Sequence, residues 1–470
     1  MVNTTDVHSS LDERRHIGKE ARRAVPRSSH AAWRPGSGRD PVATVLSQDA
    51  DRLPRLRGVR HDRMAATPFT FYRGAAKLMA ADLADTPVSG LNVQACGDAH
   101  LLNLGLYASP ERAQVFDLND FDETAEAPWE WDVKRLAASF TVAARGNGHD
   151  STECSEATSG VVHGYRRAMS AFAKMTTLEV WHSHMDPVTL LDETPRPDVR
   201  HLIEHTLAKA RRHDNLQALA KLTVMIDGKH RIVSNPPLLV PLRDLSELLD
   251  PSEVDNLVRE SFDSYLESLQ DDRKVLLRRF RIVDAALKVV GVGSVGTRCF
   301  IVLLEGRDSE DPLFLQIKEA SRSVLEDHTE ASPYPNHGQR VVEGQRLMQT
   351  SSDIFLGWIR GPQGRDYYWR QLRDMKGAAP VESMSAPQMS AYARICGWAL
   401  ARAHARSGDP VAISAYLGSS DVFDRAVTEF SATYADQNEE DHRAFVAAAR
   451  SARPGEGGGG TARGALESTG

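Results

Sequence analysis

The spacing of apolar residues changes along the chain, and the changes mark its elements. In FYRGAAKLMAADLAD, 71–85, apolar positions recur at helical intervals. WDVKRLAASFTVAAR, 131–145, predicts a second helix with an apolar face. Residues 155–215 and 252–279 read as mostly helical. Two short strands lie between the first helices: GLNVQACGDAH runs from a strand into a loop, and AQVFDLNDFDE is a strand that ends in acids. LTVMIDGKHRIV, 222–233, predicts a hairpin with Asp-Gly at its turn. From 280 the pattern becomes strand-like. FRIVDAALKVVGVGSVGTRCFIVLLEGRDSEDPLFLQIKEA predicts three strands, with a glycine-rich turn after the first and a polar loop before the third. A helix over 338–349, strands in IFLGWIR and RDYYWRQLR, and a strong amphipathic helix over 389–408 follow, with helices from there to the tail. The fold class expected is α+β.

At 470 residues and 41% hydrophobic content the chain is too long for one compact unit, and two lobes are expected. A polar arm, 1–63, carries 13 Lys and Arg against 8 Asp and Glu. It reads as a solvated, partly disordered arm, with an arm folded over an anionic ligand through VPRSSH as the alternative. Residues 64–285 are expected to form a helical lobe, 286–375 a sheet-rich lobe, 376–452 C-terminal helices returning to the helical lobe, and 453–470 a flexible glycine-rich tail. The net charge of −7 argues against a nucleic-acid partner. Cys96, Cys154, Cys299 and Cys396 lie far apart, with neither metal-ligand spacing nor a disulfide framework, which fits a reducing cytoplasm. No apolar run reaches the roughly 18 residues of a membrane span, and no export signal is read.

The chemistry begins at Gly291, Gly293 and Gly296. A dinucleotide-binding turn of this G-x-G-x-x-G form would open a helix; here a strand follows. The turn is therefore either an ordinary glycine hairpin or a loop that covers phosphates, as in protein-kinase-type folds, where glycine lets backbone N–H groups approach the anion. FLQIKEA then sets Lys318 in the third strand, as in the V-A-I-K strand of kinases. Its expected partners are nucleotide phosphates and a helix Glu: Glu343, with Glu319 and Glu326 as competitors. Earlier in the chain, GDAHLLN matches the G-D-x-H-x-x-N catalytic loop of aminoglycoside- and choline-type phosphotransferases at Gly97, Asp98, His100 and Asn103. In that resemblance Asp98 is the base, His100 braces the loop, and Asn103 reaches a metal. NDFDET supplies the metal acids, Asp120 with Asp122 sharing, and Asp117 as the off-register rival; Mg²⁺ suits such oxygen ligands. PWEWDVKRLAAS resembles the segment that follows, with Asp132 as a structural anchor. A loop of solvated acids is the competing reading; a His-based metal site would need a second His nearby.

These motifs run in the opposite order to kinases, catalytic loop first and glycine loop later. Circular permutation reconciles them, because domain termini often lie close together. GWALARAHARSGD resembles the helix that leads into a catalytic loop, although its SGDP lacks the His and Asn. TPFTFYRGAAKLMAADLA, CGDAHLLNLG, FDLNDFDET, PWEWDVKRLAAS, LQIKEA and VVEGQRLMQTSSDIFLGW resemble a bacterial family, domain of unknown function 2252, over nearly the whole chain. That resemblance implies no substrate. The expected fold is a circularly permuted, two-lobed kinase-like one. The expected function is an Mg²⁺- and ATP-dependent phosphotransferase acting on a small-molecule or protein hydroxyl. AMP transfer from a reversed nucleotide, a non-catalytic nucleotide sensor and a nucleotide-free scaffold are the alternatives. Arg73, Lys134 and Arg135 flank the site, either as receptors for an anionic acceptor or as structural salt-bridge partners.

Overall fold

Residues 9–63 do not form a solvated arm. In the computed structural model, which describes residues 9–192, 196–212, 215–245, 251–372 and 375–451, they form α1 (Leu11–Ala24), α2 (Pro41–Ser47) and most of α3 (Pro54–Ala65), and α4 (Pro68–Gly74) and α5 (Ala76–Ala84) follow. A capping box between Ser10 and Glu13 starts α1. The excess positive charge is matched by acids far along the chain: Arg14 meets Asp409 at 2.6 Å, and Arg39 forks onto Asp82 and Asp441 at 2.7 and 2.6 Å. His30 and Trp33 are buried. A local count of charges could not reveal such partners. VPRSSH forms a short 3-10 turn within this layer.

Next, β1 (Asn92–Ala95) pairs antiparallel with β4 (Ala125–Pro128), and β2 (Leu104–Ala108) with β3 (Gln114–Leu118). α6 (Trp129–Gly146) follows, buried on nearly every side, then α7 (Ser151–Phe172), α8 (Thr177–His182), α9 (Pro187–Asp192), α10 (Pro197–Arg211) and α11 (Asn215–Leu222). The Asp-Gly hairpin is present as β5 (Thr223–Ile226) and β6 (Lys229–Ile232), with both turn residues at positive φ. After β7 (Leu239–Pro241) come α12 (Pro251–Glu267) and α13 (Asp271–Leu277).

The strand-like stretch forms β8 (Arg281–Lys288), β9 (Cys299–Glu305) and β10 (Pro312–Ala320), then α14 (His337–Met348), β11 (Gly357–Arg360) and β12 (Asp366–Gln371). They make one antiparallel sheet in the order β11-β12-β10-β9-β8-β7. Its two faces bury different partners. Val302, Leu304, Leu315 and Trp369 pack on Tyr265 and Leu277 of α12 and α13. Ile301, Leu303 and Phe314 pack on Leu219 and Ile232 from α11 and β6. Residues 215–285 therefore clothe the sheet, and β7 is its sixth strand. They were expected in the helical lobe because helical periodicity cannot say which neighbour a helix buries against.

α15 (Ala386–Ser407), α16 (Pro410–Leu417) and α17 (Val422–Ser451) return to the helical body, where α15 lies along α7. The largest core joins α5, α6, α7, α15 and α17 with β1 and α14. The fold is α+β. Among the described residues no helix is long and apolar enough to cross a membrane.

Candidate functional site

The hairpin β2–β3 explains why the two acidic motifs meet. Leu104 pairs with Leu118, so the open end of the hairpin sets Asn103 beside Asn119 and Asp120. Asn103 fastens that end. Its Oδ1 accepts from the N–H groups of Asn119 and Asp120 at 3.2 and 2.6 Å, and its Nδ2 donates to the carbonyls of Asp98 and Asp120 at 3.1 and 2.9 Å. The side chain predicted to reach a metal is thus fully engaged in joining the two loops, with no lone pair of Oδ1 left for an ion.

The preceding turn is equally tied. The N–H groups of Cys96 and Gly97 donate to Asp132 at 2.6 and 2.9 Å, and His404 approaches the same carboxylate at 3.2 Å. Gly97 sits at φ +80°, and a Cβ there would fall 2.2 Å from the Glu123 carbonyl, so only glycine fits. This turn presents Asp98, whose Oδ1 accepts from Nε of buried Arg135 at 2.7 Å and from its Nη2. The Asp98 side chain keeps 24% exposure. Burial raises its pKa, Arg135 opposes the rise, and the net direction is upward. His100 is buried 3.9 Å from Asp98 Oδ2; burial first, then Arg73 and Arg135, hold it well below the usual histidine range, so it is neutral.

Lys318 comes from the third strand of the run, as expected, but its partners differ. It is 2% exposed and donates to Asp120 at 3.1 and 3.3 Å and to Asp122 at 2.5 Å. Tyr368 donates to the other oxygen of Asp122 at 2.6 Å. Burial pulls the ammonium pKa down, the two carboxylates overrule it, and the net shift is upward. Glu343 is not its partner: it pairs at 3.0 Å with Arg346, three residues along the same helix. Glu319 binds Arg298 and Arg365, and Glu326 caps its own 3-10 turn beside Arg340. Asp117, the off-register acid, is buried against Arg402.

The glycine loop closes the site from above. Its carbonyls are held by the turn before α3 and by α3 itself: Arg52 reaches that of Val295, Leu53 N–H that of Gly296 at 2.8 Å, and Arg63 that of Gly291 at 2.5 Å. Among the described residues the N–H groups of Gly293 and Ser294 have no hydrogen-bond partner. Both residues line a cavity of about 330 Å³ whose other walls include Asp98, Asp120, Asp122, Arg73 and Glu123. Gly291, Gly296, His100, Asn103 and Lys318 are not part of this lining. Glu123, Tyr368 and Arg52 escaped the sequence reading. Glu123 stood inside the quoted motif NDFDET; the other two carry no local signal.

The donors suit a hard cation. No three His, Cys, Asp or Glu side chains converge as a metal cage among the described residues. Mg²⁺, however, takes one or two carboxylates and completes its shell with phosphate and water, and the partly exposed Asp120 and Asp122 are the carboxylates that could serve such an ion.

The fold and site define an α+β protein with a charged cavity where an acidic loop, a buried lysine and a glycine loop meet. Residues 52–448 match the family described as uncharacterized protein conserved in bacteria, domain of unknown function 2252, and the chain belongs to it. No curated protein and no solved structure matches the chain.

Proposed function

We propose that the protein is a circularly permuted kinase-like phosphotransferase that uses Mg²⁺-ATP. The observation that carries this is the convergence of segments near residues 98, 120, 293 and 318 on one cavity. The sheet supports it as well: a glycine loop joins the strands that begin the motif run, β8 and β9, the lysine lies on the next, and a helix precedes the last two. So does the return of α15 to the helical body, which closes the permuted path.

In this reading an acceptor hydroxyl lies against Asp98 Oδ2. Asp98 takes the hydroxyl proton as the oxygen bonds to the γ-phosphorus and the bond to the β-phosphate oxygen breaks, releasing ADP. Arg135 fixes the carboxylate, while the upward pKa shift makes it a better base. Asp120 and Asp122 would hold Mg²⁺, which neutralises phosphate charge when bound. Lys318, already beside them, would turn to the α/β-phosphates. The unpartnered N–H groups of Gly293 and Ser294 would face the phosphate oxygens.

One observation favours AMP transfer. Inward of Lys318 the same sheet face is filled: Gln316 is bonded to Arg370 at 2.9 Å, and Phe314 is covered by Leu219 and Ile232. A base leaving the phosphates outward, toward Ser47 and Lys77, would reverse the nucleotide and bring its α-phosphate to the acids. Incubation with γ-labelled and α-labelled ATP and fractionated bacterial metabolites and proteins separates the readings. Transfer of γ-label supports phosphorylation, and transfer of α-label supports AMP transfer. Asp98→Asn is expected to lower either rate by about 10²-fold or more while leaving ATP affinity within a few-fold. An unchanged rate in Asp98→Asn removes Asp98 as the base.

A further inference from the structure

Arg73, Lys134 and Arg135 all stand near the acidic loop, and the structure separates their roles. Arg135 is committed to Asp98. Lys134 lies away from the cavity, buried over the Phe430 ring at 4.9 Å, and burial lowers its pKa to about 7. Arg73 alone of the three lines the cavity.

The other cations of that wall are engaged. Arg52 holds the Val295 carbonyl, Lys77 donates to Ser47 at 3.4 Å, and Arg322 pairs with Asp327. The guanidinium of Arg73 has no hydrogen bond and no ion pair among the described residues, and its Nε is buried without a partner. A buried Nε–H with no acceptor is costly to hold, and an anion in the cavity would relieve that cost. The Arg73 backbone lies beside the glycine loop. Thr67 and Thr70 cap α4, the helix that carries it, and the Arg73 carbonyl lies 3.3 Å from where a Cβ on Gly293 would stand. Arg73 and Asp98 line the same cavity.

Resting on the nucleotide site proposed above, we infer that Arg73 is the clamp for the terminal phosphoryl group, a planar fork matched to two phosphate oxygens and supplied by a segment ahead of the catalytic loop. The ligand chemistry is a nucleoside triphosphate with its γ-phosphate against Asp98, the Gly293 and Ser294 amides and Arg73. Such an arginine stabilises the charge of the group in flight as well as in the ground state.

The test is equilibrium binding of the full chain to Mg²⁺-ADP and to the Mg²⁺ complex of the β,γ-imido analogue of ATP. The wild type is expected to prefer the triphosphate, and Arg73→Met to reduce that preference by roughly tenfold or more while ADP affinity stays near wild type. Arg73→Lys keeps the charge without the fork and is expected to recover only part of the preference; it carries the test should the Met variant fail to fold. A preference unchanged in both variants, or equal wild-type affinity for the two nucleotides, overturns the clamp and leaves the nucleotide site standing. Absence of binding to either nucleotide in the wild type removes the site and the clamp together.

Discussion

Glu123 shows how a single side chain in the cavity wall carries a measurable signature. It accepts from the Val324 N–H at 2.8 Å, and burial pushes its carboxyl from 4.5 up to about 7. A carboxyl with a raised folded pKa contributes stability below its unfolded pKa and loses it as pH climbs through the folded value. The stability of wild type relative to Glu123→Gln is therefore expected to fall between about pH 4.5 and about pH 7, and to level off above. Chemical denaturation of both proteins across that range checks it, and parallel curves would contradict it. The same scale shows what local sequence conveys. That Asp98, Asp120, Asp122 and Lys318 lie near one another was legible because the motifs they resemble fix residue type and spacing. The partner of Lys318 was not, since Asp120 and Asp122 stand almost two hundred residues before it and a nearer helix offered Glu343.

Among the elements, strands and helices with a clear period were readable, and their neighbours were not. The hairpin β5–β6 and the strands β8, β9 and β10 followed from alternation and turn chemistry. The layer α1–α3 did not, because its charges find partners hundreds of residues away. The packing of α7 on α15 was also invisible, although it rests on identifiable residues. Gly397 lets the helices touch: a Cβ there would stand 2.1 Å from the Val161 carbonyl. Gly397→Ala must push backbone from backbone and is expected to cost about 1–3 kcal/mol or more. Gly58→Ala, inside α3 with nothing within 4 Å of its Cβ position, is expected to stabilise by about 0.5–1 kcal/mol. Urea midpoints of the two variants should move in opposite directions.

For the whole molecule, the packing of the chain brings together motifs that stand far apart in the sequence. The N-terminal layer holds a glycine loop that lies more than two hundred residues later, and the C-terminal helices pack beside the loop that carries Asp98. Both ends of the chain thus brace one cavity, a relation that no window of sequence contains. The account stands on that cavity binding nucleotide through its acids. The most direct measurement is the unfolding midpoint with and without Mg²⁺-ATP, for wild type and Asp120→Ala. A ligand selective for the native state at 100 times its Kd adds about 2.7 kcal/mol. The account predicts a magnesium-dependent rise in wild type that Asp120→Ala loses. No rise at saturating Mg²⁺-ATP, or the same rise in Asp120→Ala, would contradict it.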